Sequence, residues 1–312
     1  VGAHSSTAQG RRKAQLSWQK RLVRMWPAFA VAAVCALAIA LVMFVLPGGD
    51  ASPKSLRVAG RLGAAPVAEF PIPYPQGRQR VRTTIRGSGQ VVKTGMPVLL
   101  NLTVFSGETG EILSPGSRPQ LIQATATNDD LTREMAPLVI GHTEGSRVVV
   151  SRPATRDGKE TMEIAVIDIL PTAVIGERLE PADAPAKIKI ENGLPQLVSH
   201  SDKAPLSPYL GVLVKGDGKQ ISATDKVVVQ YGVWNWSDSK EVAFTWPKGP
   251  QLVDIAKTFP GVRELVADQT LGSRLLLVIP AEQATGTDTL IVVVDLLAQP
   301  DEGKAKQKDA NK

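Results

Sequence analysis

The sequence predicts an α+β architecture built twice, and three observations predict it. Blocks of sequence recur at a near-constant offset, the recurring blocks are short and rich in β-branched residues, and each half has room for one short helix. RGSGQVVKTGMPVLLNLTVF (86–105) returns as KGDGKQISATDKVVVQYGVW (215–234), 129 positions on. GHTEGSRVVVSRPA (141–154) returns as DQTLGSRLLLVIPA (268–281), and MEIAVIDIL (162–170) as TLIVVVDLL (289–297), both 127 positions on. Three blocks at a near-constant spacing argue for duplication of a unit of about 115 residues. A chain of 312 residues with 43% hydrophobic content is long enough for two such cores.

The elements preceding the repeat concern topology. Residues 1–25 carry six basic side chains (Arg11, Arg12, Lys13, Lys20, Arg21, Arg24) and no acidic one. WPAFAVAAVCALAIALVMFVL (26–46) follows, uncharged and long enough to cross a hydrocarbon core of about 30 Å as a helix. The basic flank then stays cytoplasmic and the remainder is exported, giving a single-pass cell-membrane protein with anionic lipid as partner of the tail. A removable signal peptide is the rival reading, but the apolar run exceeds the usual h-region of about 7–15 residues and PGGDAS offers a poor cleavage site. Residues 47–76, rich in Pro, Gly and Ala, read as an extended stalk, partly polyproline II around 70–75.

Charge excludes one class of function. The net charge of +6 is the charge of the tail alone, leaving 30 basic against 30 acidic residues elsewhere. A neutral body has no counterion-release drive toward nucleic acid. The single cysteine, Cys35, lies inside the apolar run, so the exported part rests on its packed cores and not on disulfides.

Within the repeat, PVLLNLTVF, RVVVSRP and MEIAVIDIL, with VVVQYGVW, RLLLVIP and TLIVVVDLL, read as strands bounded by Gly, Asp and Ser turns. DDLTREMAPLVIG and LVDIAKTFPGVRELVADQ each hold one short helix. The first unit spans 77–172, the second 173–299, and the lysine-rich 300–312 reads as a disordered tail. GSGQ and GDGK lack the strand, loop and helix context of a phosphate cradle. His142 and His200 have no partner at metal-ligand spacing, and Ser146 and Ser273 lie in no nucleophile elbow.

The order [VK]-x-G-[SD]-G, a strand with V-x-x-x-[YL], a short helix, GSR-x-x-x-x-x-P and a closing V-x-D-[IL]-L resembles the FKBP-type peptidyl-prolyl cis-trans isomerases over roughly residues 55–298. EFPIP ahead of a tandem pair resembles exported actinobacterial members with degenerate pockets. The resemblance implies curled antiparallel sheets, each around one short helix, and isomerase activity on exported polypeptides at prolyl bonds. No metal or cofactor is implied.

It places Tyr231 at the family's strand tyrosine, Phe259 at an aliphatic pocket position, Val262 at a tryptophan floor and Val292 at a late-strand phenylalanine. These four are the candidate pocket lining, with a core tyrosine as the alternative role of Tyr231. Val242-Ala243 replaces a Phe-Asp pair, and AEQATGTD shortens a loop that carries a second tyrosine. In the first copy Leu102 stands in place of Tyr231, and Phe105 is its only nearby ring, so that copy reads as structural. Activity is therefore expected to be weak and confined to the second copy. The alternative is a non-catalytic FKBP-like scaffold of the cell envelope. Trp234 and Trp236 either rim the pocket or cover the sheet.

Overall fold

The computed structural model of the protein describes residues 55–301. The basic tail, the apolar run 26–46 and residues 302–312 lie outside them, and no helix among the described residues is long and apolar enough to cross a membrane.

The first half opens with a hairpin, β1 (Arg57–Ala59) and β2 (Val67–Glu69), and continues into a five-stranded antiparallel sheet. Its strands are β3 (Arg80–Ile85), β4 (Pro97–Ser106), β5 (Gln120–Thr125), β6 (Ser146–Arg156) and β7 (Lys159–Leu170), ordered β3-β6-β7-β4-β5. Helix α1 (Asn128–Val139), capped by the Thr127 hydroxyl on the Asp130 N–H, lies between β5 and β6. The second half repeats the plan. Hairpin β8 (Ala186–Glu191) and β9 (Leu194–His200) precede β10 (Tyr209–Val214), β11 (Lys226–Asn235), β12 (Glu241–Phe244), β13 (Gln251–Asp254), β14 (Arg274–Ile279) and β15 (Leu290–Ala298). The order is β10-β14-β15-β11-β12, with β13 also on β11, and helix α2 (Pro260–Val266) starts on a proline at its first position.

Alternation in the central strands decides the layering. Val98, Leu100, Val148, Val150, Ile167 and Ile169 point to one face and close a core with Leu131, Ala136 and Val139 of α1. The intervening Phe105, Val149, Ile164 and Val166 point to the other face, where Phe70 and the partly buried Val58 and Ala68 cover them. The second sheet does the same: Val229, Leu277, Val292 and Val294 face α2, while Leu276, Val278, Ile291 and Val293 face Ala186 and Ile188 of the β8–β9 hairpin.

This corrects the stalk. From residue 55 onward that segment lies on the first sheet, with Phe70 buried and edge-on to Tyr74 and Phe105 at 5.8 and 6.4 Å. A sheet apolar on both faces requires a cover on each, and these rings supply it. The hairpins sit at equivalent places in the two halves, so the repeated unit begins at its hairpin, ahead of residue 77.

The GSG and GDG motifs are places of close backbone approach. A Cβ on Gly87 would stand 2.0 Å from the Glu144 carbonyl oxygen, and one on Gly216 2.2 Å from that of Leu271. The same lock recurs around them: the Gly87 and Gly216 N–H groups donate to the hydroxyls of Ser146 (3.0 Å) and Ser273 (2.9 Å), and their carbonyls accept from Thr143 (2.8 Å) and Thr270 (2.9 Å). His142 meets the Thr83 hydroxyl at 3.2 Å, and His200 lies against the Trp236 ring at 4.4 Å.

Each half also buries an ion pair between cross-strand neighbours. Arg147 donates through Nε and Nη2 to Asp168 at 2.6 and 2.8 Å, and Arg274 to Asp295 at 2.5 and 2.6 Å. Arg147 further donates to the carbonyls of Gly60 and Arg61, both at 3.0 Å, while Asp168 accepts from the Gly63 N–H at 2.7 Å. The β1–β2 turn is thereby fastened to the sheet. Asp295 instead accepts from the Val174 N–H at 2.7 Å, which fastens the connection between the two halves. Leu99, Leu170, Val228 and Ala298 pack together where the two sheets meet.

Two stability predictions follow from these buried charges. Arg147→Met leaves Asp168 buried and unpaired and is expected to cost about 3–5 kcal/mol in denaturant unfolding. Burial also raises the carboxyl of Glu144 above its ordinary value of 4.5, only partly offset by the Thr172 hydroxyl and N–H at 2.6 and 3.2 Å. A carboxyl that binds its proton more tightly in the folded state stabilises at low pH, and that contribution is lost as pH rises through the raised value. The stability of Glu144→Gln relative to the parent is therefore expected to increase as pH is taken from about 4 to 7 in a denaturation series; a gap independent of pH would contradict it.

Candidate functional site

The helix face of the second sheet is incompletely filled. Between β11, β15 and the segment running from β13 into α2 lies a cavity of about 250 Å³. The four residues singled out in the sequence all line it. Tyr231 projects from β11 and Val292 from β15, the latter at 6% exposure as part of the floor. Phe259 occupies the N-cap of α2 and is 44% exposed at the rim, while Val262 stands on the first turn of the helix.

The backbone at Tyr231 is held firmly. Its N–H donates to the Thr245 hydroxyl at 2.8 Å, and that hydroxyl donates to the Gln230 side-chain carbonyl at 2.6 Å. The phenol oxygen lies 3.5 Å from Gln251 Oε1, a contact at the limit of a hydrogen bond, so the hydroxyl stays accessible to a ligand. The single-turn helix Ile255–Lys257, whose start is capped by Asp254, carries the chain over to Phe259. Thr258 is turned away from acid–base work, because its hydroxyl donates to the Ile255 carbonyl at 2.7 Å.

The remaining wall is aliphatic. Val229, Val233, Leu277 and Val294 line the cavity beside Tyr231 and Val292 and were not singled out in the sequence. Strand parity was the available signal: Val229, Tyr231 and Val233 share one face of β11, as Val292 and Val294 share one face of β15. The same parity places Trp234 on the opposite face. Trp234 and Trp236 are buried against Trp246, Leu276 and Val293 behind the sheet, and so cover it instead of rimming the pocket.

Lys257 is the one ionisable group on the wall besides the tyrosine, and it sits 3.2 Å from the Asp254 carboxylate. Val242 and Ala243, where the sequence comparison expected a ring and a carboxylate, are not among the lining residues. With no carboxylate, histidine or free nucleophile on its wall, the cavity has what is needed to hold an apolar group and exclude water around it, with one phenol as donor. In the first half, Leu102 packs against the core formed with α1 and Phe105 is buried on the far face.

No family model and no curated protein matches the chain. Among solved structures it is similar to FkpA from Escherichia coli, 26% identical over 31% of this chain and 51% of that one, with a TM-score of 0.29. It thus spans about half the length of FkpA. It is also similar to a peptidyl-prolyl cis-trans isomerase from Pseudomonas syringae pv. tomato (20% identical, 38% of this chain and 84% of that one, TM-score 0.28). A third is the three FKBP domains of wheat FKBP73 (13%, 71% and 94%, TM-score 0.27). These solved structures are FKBP-type peptidyl-prolyl isomerases, the family that the strand motifs of this chain resemble.

Proposed function

We propose that the protein is a membrane-anchored, extracytoplasmic FKBP-like folding factor whose second half isomerises prolyl bonds of exported polypeptides slowly. The observation that carries this reading is the convergence of Tyr231, Phe259, Val262 and Val292 on one apolar cavity. Rotation about an X–Pro bond is opposed by amide resonance, with a barrier of about 18–20 kcal/mol. The twisted amide loses that resonance and is less polar than the planar one, so an apolar hollow that excludes water favours it without a nucleophile or a metal. Each missing contact that returns about 1.4 kcal/mol to the barrier slows turnover tenfold. Two rings on a wall that is otherwise mostly aliphatic therefore support weak activity. The resemblance to exported actinobacterial members belongs to the same proposal, as does the anchor at 26–46.

A second reading has its own support. Only two rings line the hollow, and Val242 adds an apolar side chain 59% exposed outside it, so the second half also suits a non-catalytic module that holds apolar segments of other envelope proteins.

Turnover of a prolyl peptide by the full chain, followed by magnetisation exchange, separates the two. The isomerase reading expects a rate above buffer, roughly tenfold lower in Tyr231→Ala and abolished in Val262→Asp, which places a charge on the apolar wall. A parent rate equal to buffer leaves the scaffold alone. Tyr231→Phe keeps the ring and is expected to lie between the parent and Tyr231→Ala. The anchor is tested separately: the full chain is expected to remain in membranes after alkaline carbonate extraction, and its release to the supernatant would count against a retained span.

A further inference from the structure

The back of the first sheet carries an open groove of about 290 Å³, far from the apolar cavity in the chain and different in chemistry. Its floor is apolar, with Val149 and Met162, and its wall is cationic, with Arg78, Arg80 and Arg82. No acidic side chain lines it. All three arginines are exposed, and among the described residues none of them makes a hydrogen bond or an ion pair.

Register explains the alignment. Arg80 and Arg82 pair with Ser151 and Val149 across β6, so both side chains rise on the same face, about 7 Å apart along the edge strand β3.

The duplication supplies an internal control. The equivalent edge strand, β10, pairs Tyr209 with Val278 and Gly211 with Leu276, so Tyr209 and Gly211 stand where Arg80 and Arg82 stand. There the groove is packed shut: a Cβ on Gly211 would lie 3.0 Å from the Tyr209 ring and 3.1 Å from Pro181. Charged side chains on an edge strand ordinarily guard against edge-to-edge pairing, yet YLGVLV holds the same position with no charge. The scaffold therefore does not require the arginines.

We infer that this groove docks the first half onto anionic lipid headgroups at the membrane surface. The inference rests on the anchored reading above. Ser55 lines the groove itself, and only the eight residues 47–54 separate it from the apolar run ending at Leu46. Eight residues reach at most about 30 Å, so the arginines stand within reach of the headgroup layer. Guanidinium groups bind phosphate oxygens in pairs of parallel hydrogen bonds, and the apolar floor accepts glycerol and upper acyl carbons.

The test uses the full chain with Cys35→Ala, labelled at Asp157→Cys and reconstituted into vesicles bearing a headgroup acceptor. Energy transfer is expected to be higher in phosphatidylglycerol than in phosphatidylcholine and to fall in 0.5 M salt. In the combined variant Arg78→Gln, Arg80→Gln, Arg82→Gln the docked-to-free ratio is expected to drop on the order of a hundredfold, about fivefold per charge. Equal transfer in the two lipids, or an unchanged triple variant, overturns the proposal. So does a groove that loses polyglutamate binding in the variant while its lipid response is unaltered, since that outcome assigns it to acidic peptides. Failure of the anchor reads differently. The chain would then leave neutral vesicles on alkaline extraction, while pelleting with anionic vesicles would still distinguish parent from triple variant, because the basic tail is common to both.

Discussion

Both sheets are apolar on both faces, and the rest of the structure answers to that constraint. Every residue of β14 is buried, and in β15 all but Leu297 are. Such strands cannot be left open to water, since each exposed large aliphatic side chain forgoes about 1.5–3 kcal/mol of transfer free energy. Each half therefore places a helix on one face and its hairpin on the other. The cavity follows from how well the first cover fits. Helix α1 spans 12 residues, broken at Thr132 (φ 69°, ψ 154°), and α2 spans only 7. The shorter helix leaves part of the sheet face uncovered, and Phe259 and the turn before it close the gap only at its rim.

The buried Arg–Asp pairs work against the same apolar background. Removing two charges from water costs several kcal/mol per ion, which a bidentate geometry and further hydrogen bonds offset. Arg147 meets this with carbonyls of the β1–β2 turn, and Asp168 with the Gly63 N–H. These bonds are directional where the surrounding packing is not, so they fix where the hairpin sits. In the second half the Asp295 carboxylate takes the Val174 N–H, and the same device sets the path between the halves.

The repeat, the strands and the short helices were legible in the sequence, because β-branched runs and a near-constant offset are strong signals, whereas Tyr231, Phe259, Val262 and Val292 were singled out only through the family resemblance. The hairpins were not. RVA and VAE are too short for a periodicity, and the prolines and glycines around them read as a stalk; only the far side of the sheet makes Phe70 a core residue. Arg147 and Asp168 lay inside quoted motifs, yet nothing in either motif shows that residues 21 apart stand side by side. The position of the tryptophans was readable from parity alone, since Tyr231 and Trp234 are three apart in one strand.

Duplication also separates what the fold requires from what it permits. Gly87 and Gly216, Thr143 and Thr270, Ser146 and Ser273, Arg147 and Arg274, Asp168 and Asp295 keep the same identity and the same bonds to one another in both halves. The two halves hold these in common because the backbone approach and the buried pair admit few substitutes. Leu102 and Tyr231, or Arg82 and Gly211, occupy matching positions with different chemistry. The fold tolerates either member of each pair, so their identity is free to be set by what each surface binds.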